Sequence, residues 1–288
     1  MKKMMLVLCL GVQIAYAQSA DDSIKTQIRK IDGNLYFIDC VNGFGGGNVT
    51  ASIGEDGILL ADDMYAMMSA RLRATLATIS AKPVRIVLNS HFHGDHIQGN
   101  SGFRESAVIV AHRNVAARLI RNNSSKALLP HVSFSDSLTI RFNGEDIRLI
   151  HFPYSHTDGD AAIYFTGSKV LHLGDMFFFG MFPAVYAEGG GNIRQLVSSI
   201  DQLLQQIPPD AHVVPGHGAL ATMRDLADYA AMLKETIAIV ETNLRNGKTL
   251  EQMRTEKVLA KYDALGSGGA QTTDQYLGML VKLLTEKK

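Results

Sequence analysis

The sequence predicts an α/β protein whose strands fall into two blocks, each followed by helices: an early block ending near residue 111 and a later one from residue 138 to 214. Two sheets packed face to face with helices outside would bury both blocks. A four-layered αβ/βα sandwich fits that layout, although the strand pattern alone does not select it. The second observation is the run His91-Phe92-His93-Gly94-Asp95-His96, directly after the apolar, β-branched stretch from Val84 to Ser90. That stretch reads as a buried strand, and function in α/β proteins gathers at the carboxyl ends of such strands. The third is a helical stretch from about Thr222 to Leu284, which forms a C-terminal extension.

The elements follow in order. Ile28 to Cys40 reads as β structure turning at Asp32-Gly33-Asn34. Asn42 to Asn48 is a Gly-rich loop with one aromatic, Phe44. No Lys-Ser/Thr follows it, so it is not a phosphate loop. It is either a hairpin that carries Phe44 over a substrate or plain surface. Val49 to Ile53 and Ile58 to Ala61 are strands, and a helix is expected from Tyr65 to Ser80, closed before Pro83. Ala107 to Ala111 is a strand, Asn114 to Arg121 a helix, and Asn122 to Phe134 an irregular connection. Hairpins are expected at Asn143-Gly144 and at Thr166-Gly167-Ser168. Ile193 to Ile207 is an amphipathic helix stopped by Pro208-Pro209, and Ala211 to Val214 a short strand. Breaks at Asn246-Gly247 and Gly266 to Gly269 divide the C-terminal helices.

The chain has 288 residues, 46% of them hydrophobic, enough for a full core. Its 28 basic and 28 acidic residues balance, and no basic run points to nucleic acid. Lys2 and Lys3, an apolar stretch from Met4 to Ile14, and Ala15-Tyr16-Ala17 make residues 1–17 a secretory signal peptide cleaved after Ala17. The stretch is too short to span a bilayer, so the mature protein is expected without a membrane anchor, in the periplasm or secreted. Residues 18–220 then form the main domain, and residues 221–288 are helices packed on it. Removing residues 1–17 leaves 28 − 2 = 26 basic against 28 acidic residues, a charge near −2, and deletes Cys9. Cys40 alone remains, so no internal disulfide is available. It reads most simply as a small buried residue. Nothing in the sequence sets an oligomeric state.

Three imidazoles and a carboxylate within six positions would be costly in a core without partners. His91 and His93 alternate with Phe92, so both rings point one way in extended chain, and Asp95 and His96 reach a second point after Gly94. Elsewhere His156, Asp175 and His217 each stand where a strand hands over to a loop, so all can converge on one rim. Imidazole and carboxylate without thiolate suit zinc, with iron or manganese as options. His112, His131, His151 and His212 read as structural, His112 capping a helix.

The pattern His91-x-His93-x-Asp95-His96, followed by His156, Asp175 and His217, closely resembles the metallo-β-lactamase superfamily, over nearly the whole mature chain. The resemblance implies that fold and two zinc ions per chain. His91, His93 and His156 would hold the first, Asp95, His96 and His217 the second, and Asp175 would bridge them. Asp62 matches the acidic residue that supports the metal loop without binding metal, and His172 is a further candidate to orient a ligand. The implied activity is a zinc-dependent hydrolase attacking an activated or strained carbonyl of a small molecule with a metal-bridging hydroxide. Asp95 would orient the nucleophile and return a proton. Lactamase-like ring opening leads, with a thioesterase or lactonase as alternative and a non-hydrolytic periplasmic redox or sulfur-pathway role as a third reading. Asp175 stands where lactamases of the family usually carry Cys or Ser, and Phe178 where many carry a Lys for the drug's carboxylate. Phe178, in the apolar run Met176 to Phe182, is either a greasy wall beside the metals or core. Asn192 either contacts substrate or caps the helix after it.

Overall fold

A computed structural model describes residues 23–286, so the expected signal peptide and Cys9 lie outside the described residues. The first sheet has seven strands in sequential order: β1 (Lys25–Asp32), β2 (Leu35–Val41), β3 (Val49–Gly54), β4 (Gly57–Ala61), β5 (Val84–Leu88), β6 (Val108–His112) and β7 (Val132–Phe134). β1 to β4 pair antiparallel and β4 to β7 parallel. The second sheet contains β8 (Ser137–Phe142), β9 (Glu145–Phe152), β10 (Asp160–Phe165), β11 (Val170–Phe178), β12 (His212–His217) and β13 (Ala221–Thr222), in the reverse spatial order β13 to β8.

The inner faces of the two sheets share one core. Leu35, Phe37, Leu59, Leu88 and Val110 of the first meet Ile147, Leu149, Ile163, Phe165 and Val214 of the second. The outer face of the first sheet is covered by helix α1 (Ser69–Ala77) through Leu72 and Leu76. Helices α2 (Gly94–Ile97) and α3 (Asn100–Phe103) are single turns, and α4 (Arg113–Arg121) buries Val115 and Leu119. The outer face of the second sheet packs on α5 (Ile193–Gln206), α6 (Met223–Arg245), α7 (Leu250–Thr255) and α8 (Thr273–Thr285). The result is the expected four-layered αβ/βα sandwich, with the C-terminal helices in the same apolar cluster as the second sheet. Burying the apolar side of each element supplies the main stabilisation. Thr222, Thr249 and Thr272 open three of those helices with capping boxes closed by Asp225, Gln252 and Gln275. Among the described residues no helix is long and apolar enough to cross a membrane.

Several boundaries differ from the sequence reading. The helix expected from Tyr65 to Ser80 is α1 alone, preceded by a 3-10 turn at Ala66–Met68. The irregular connection ends in β7, too short and too exposed for a strand pattern to show. β11 does not stop at Leu173 but runs to Phe178 with every residue buried. Its pairing with β12 slips at Gly174, where φ is +49°, so Asp175 sits in a bulged strand and not in a loop after it.

His112 ends β6, caps α4 by accepting from the Asn114 N–H, and stacks on His151 with ring centroids 3.5 Å apart. Burial, and then the His151 ring, push His112 down from 6.5 to about 4. A depressed imidazole contributes stability in full above the unfolded value near 6.5 and loses it as pH falls toward 4. The melting temperature is therefore expected to drop across that window. His112→Asn, which keeps a cap acceptor for Asn114, should flatten the drop; an unchanged slope in scanning calorimetry would contradict the assignment.

Candidate metal centre

The parallel strands of both sheets end at one rim, and the chemistry-bearing residues stand there. Asp62 follows β4 in a left-handed conformation, φ +62°, which turns its fully buried carboxylate back under the loop after β5. Oδ1 accepts from the Ser90 N–H at 2.7 Å. Oδ2 faces three donors: Ser90 Oγ at 2.7 Å, His96 Nδ1 at 2.7 Å and His172 Nε2 at 3.0 Å. Burial alone would raise this carboxyl, but His96 and His172 outweigh it and hold it below the usual range.

This carboxylate sets the proton positions around it. With His96 donating from Nδ1, its Nε2 is the nitrogen turned toward the cluster. Ser90 Oγ gives its one hydrogen to Asp62, so it accepts from His91 Nδ1 at 2.9 Å, which bares His91 Nε2 in turn. His172 donates from Nε2 and receives Thr50 Oγ1 at Nδ1, 3.1 Å away. His172 thus orients Asp62 and is not itself among the clustered donors.

The nitrogens turned inward join two groups of donor atoms. In one, His93 Nδ1 lies 3.1 Å from His91 Nε2 and 2.9 Å from His156 Nε2, while Asp175 Oδ2 lies 3.7 Å and 3.4 Å from the same two nitrogens. In the other, Asp175 Oδ1 is 3.1 Å from His96 Nε2 and 3.2 Å from His217 Nε2. Asp95 Oδ2 is 3.5 Å and 3.3 Å from those nitrogens. The two oxygens of Asp175 therefore face different groups. Bond lengths of about 2.0–2.1 Å to a tetrahedral ion put its donors about 3.3 Å apart, close to these separations. Buried His96 Nε2 and Asp175 Oδ1 make no hydrogen bond despite their proximity, as expected of atoms aimed at a shared third body. The residues fit two divalent cations.

Charge agrees with geometry. Burial holds His91 and His93 below the ordinary imidazole value and His156 at about 3, so these three are neutral, the form that binds metal. Burial would raise Asp175 and Asp95, but the neighbouring histidines win and keep both ionised. Burial likewise opposes charge on His217, yet Asp175 and Asp95 bring it up to about 9. The second group thus draws protons where a cation would otherwise sit.

Glycines permit this packing. A Cβ on Gly47 would lie 2.2 Å from the His96 ring, and one on Gly216 would lie 2.1 Å from Asp175 Oδ1. Asn48 ties the two loops together, donating from Nδ2 to the carbonyls of Pro215 and Gly218 at 2.9 Å each. Asp160 holds the His156 loop by accepting from the N–H groups of His156 and Thr157.

Above the donor groups lies a cavity of about 720 Å³, with His93, Asp95, His156, Asp175 and His217 in its floor. Phe44 lines it and packs on His217 at 5.5 Å between ring centroids, so the Gly-rich loop from Gly43 to Asn48 borders the site. Phe178 is both wall and core: it lines the cavity, faces His217 at 5.3 Å and is 2% exposed. The substrate contact considered for Asn192 is corrected, because its Oδ1 accepts from the N–H groups of Arg194 and Gln195 and caps α5. Cys40 is a partly buried free thiol that also lines the cavity. Ser90, Asp160 and the Gly268–Ala270 lining were missed by sequence reasoning. Only Ser90 had a signal, as a hydroxyl directly preceding a candidate ligand.

Asp62→Asn removes the charge that fixes the His91 and His96 tautomers. Metal affinity is expected to fall roughly 10- to 100-fold in a chelator competition, with the thermal transition of the metal-free protein still cooperative. Undiminished affinity would show that Asp62 does not organise the donors.

The sequence model of the Metallo-beta-lactamase superfamily matches residues 53–241. Among curated proteins, a hydroxyacylglutathione hydrolase of Gloeobacter violaceus is 28% identical over 173 residues, 60% of this chain and 62% of that protein. The 2,4-dinitroanisole O-demethylase subunit alpha of a Nocardioides strain is 28% identical over 131 residues, 44% of this chain and 40% of that protein. The chain thus spans less than two thirds of the length of these relatives. A metallo-beta-lactamase from Pontibacter korlensis superposes with a TM-score of 0.64 at 18% identity, covering 73% of this chain and 99% of that one. The metallo-beta-lactamase IND-7 gives 0.64 at 19% identity, covering 73% and 98%. At such identities the structures establish shared fold alone.

Proposed function

The chain belongs to the metallo-β-lactamase superfamily, and from that premise we propose that it is an exported hydrolase that holds two zinc ions and cleaves an activated acyl bond. A thioester, ester or lactone is favoured over a β-lactam. The observation that carries this reading is Asp175, whose two oxygens face separate donor groups. Its carboxylate, in place of the Cys or Ser expected of a lactamase, favours the acyl-ester side of the superfamily, as do the relatives named hydroxyacylglutathione hydrolase. Phe178, where a lactamase would offer an ammonium, favours it too.

His91, His93, His156 and Asp175 would hold one ion, and Asp95, His96, His217 and Asp175 the other. When bound, the pair supplies Lewis acidity toward a carbonyl oxygen and a nucleophile derived from water near neutral pH. Asp95 lines the cavity and is ionised, so its carboxylate takes the proton of the attacking water and returns it to the leaving group. Asp62 and Ser90 keep His96 and His91 aimed at the cluster throughout. Phe44 and Phe178 flank His217 and give that side of the site an apolar face.

The purified mature protein is expected to carry about two equivalents of zinc, lose turnover with chelator and regain it with zinc. Within a panel of a thioester, a lactone and a penicillin, the first two should turn over fastest. Metal analysis finding no bound ion would overturn the reading, and turnover of the penicillin alone would overturn the acyl preference.

A further inference from the structure

Among the described residues no Lys or Arg lines the cavity; of its three carboxylates, Asp95 and Asp175 belong to the donor groups, whose ions would balance them, and Asp39 is balanced by Arg29. Three basic side chains near the cavity are held by acids. Arg29 is paired with Asp39 at 2.9 Å. Lys282 is paired with Glu188 at 2.5 Å. Arg118, bordering the adjoining cleft beside His93 and His156, places Nη2 2.7 Å from Asp158 Oδ2 and Nε 3.3 Å from its Oδ1. Its Nη1 donates to the Glu188 carbonyl at 2.9 Å, and its plane rests on Phe92 at 4.6 Å. All three of its nitrogens are thus engaged.

Much of the remaining wall is apolar, formed by Phe44, Phe178, Met181, Ala184, Ala270 and the ring of Tyr186. One side comes from the arm Gly268 to Ala270, which follows the residues shared with the family model. That arm is pinned in place. A Cβ on Gly268 would lie 2.4 Å from Met181 Cβ, and the buried Gln271 donates from Nε2 to the Pro183 carbonyl at 3.0 Å. It closes the cavity with backbone and methyl groups and brings no charge.

Resting on the hydrolase reading above, we propose that the substrate is an uncharged acyl compound whose apolar group lodges between Phe44, Phe178 and the Gly268–Ala270 arm. An anionic group placed away from the reacting carbonyl would shed its water against this apolar wall, where no lysine or arginine replaces it. A glutathione thioester, which brings two carboxylates, is therefore a poor fit, as is any acyl donor with a remote carboxylate. An alkyl or aryl ester, thioester or lactone gains from desolvating the same surface.

The test uses zinc-loaded protein and two phenyl thioesters of one six-carbon acyl chain, ending in a carboxamide or in a carboxylate. The reacting carbonyl and leaving group are the same, so only the remote charge differs. The carboxamide is expected to show at least about tenfold higher kcat/KM, and Ala270→Lys to narrow that ratio by raising turnover of the carboxylate. In parallel, calorimetry on metal-free protein with the non-hydrolysable anilides of the two chains should show tighter binding of the uncharged one. A carboxylate preference with chelator-sensitive turnover, or a ratio that Ala270→Lys does not move, overturns the inference and leaves the hydrolase reading standing. No turnover of either thioester overturns the hydrolase reading, and the calorimetric order then decides whether the cavity still selects uncharged chains.

Discussion

The Asp62 carboxylate is the point on which the rest of the centre depends. It is fully buried, so an unpaired charge there would be strongly destabilising. Four donors from three segments meet it: the Ser90 N–H and hydroxyl, the His96 ring and the His172 ring. Those same bonds determine which nitrogen of His91 and His96 faces the cluster. One interaction thus joins the end of β4, the loop after β5 and the middle of β11, and the tautomers of two candidate ligands follow from it. Replacing one partner would leave the others with an unsatisfied buried group, so the network is held as a unit.

The two sheets bring this about by ending their parallel strands at the same rim. Two left-handed non-glycine residues stand there, Asp62 at φ +62° and Met64 at φ +66°, and Gly174 supplies a third positive φ, +49°, without steric cost. Asp62 is held in that conformation by bonds to the loop after β5 and to β11, and Met64 is buried in the apolar cluster under the first sheet. The donors are also crowded, with imidazole and carboxylate atoms separated by distances that an ion between them would set. Without cations, His96 and His217 draw protons toward Asp175, and metal binding must displace them. The fold therefore carries an arrangement whose favourable state is completed by what it binds.

Much of this was legible in the sequence because it is local. His91 to His96 stand side by side after an unambiguous apolar strand, and His156, Asp175 and His217 each adjoin a β run, so the convergence could be anticipated. The hairpin turns Asn143-Gly144 and Thr166 to Ser168 were equally readable. What escaped depends on tertiary context. The three-residue β7 has no periodicity to display, and the bulge at Gly174 extends β11 past its apparent end. Asn192 offers the same amide to a cap or to a substrate, and only the position of α5 decides for the cap. The arm Gly268 to Ala270 lies some fifty residues beyond the last candidate ligand, His217, and nothing local marks it as part of the cavity.

One fold hosts many activities, and the site grafted on it decides among them. Here the floor is made of histidines and carboxylates, while the wall is aromatic and aliphatic with its nearby cations neutralised by acids. The central claim is that Asp175 joins two separate donor groups into one two-ion centre. Anomalous diffraction from crystals of the zinc-loaded protein tests it most directly. Two zinc peaks are expected, one among His91, His93 and His156 and the other among Asp95, His96 and His217, with Asp175 in contact with both. A single fully occupied peak, with Asp175 bound on one side only, would contradict the account.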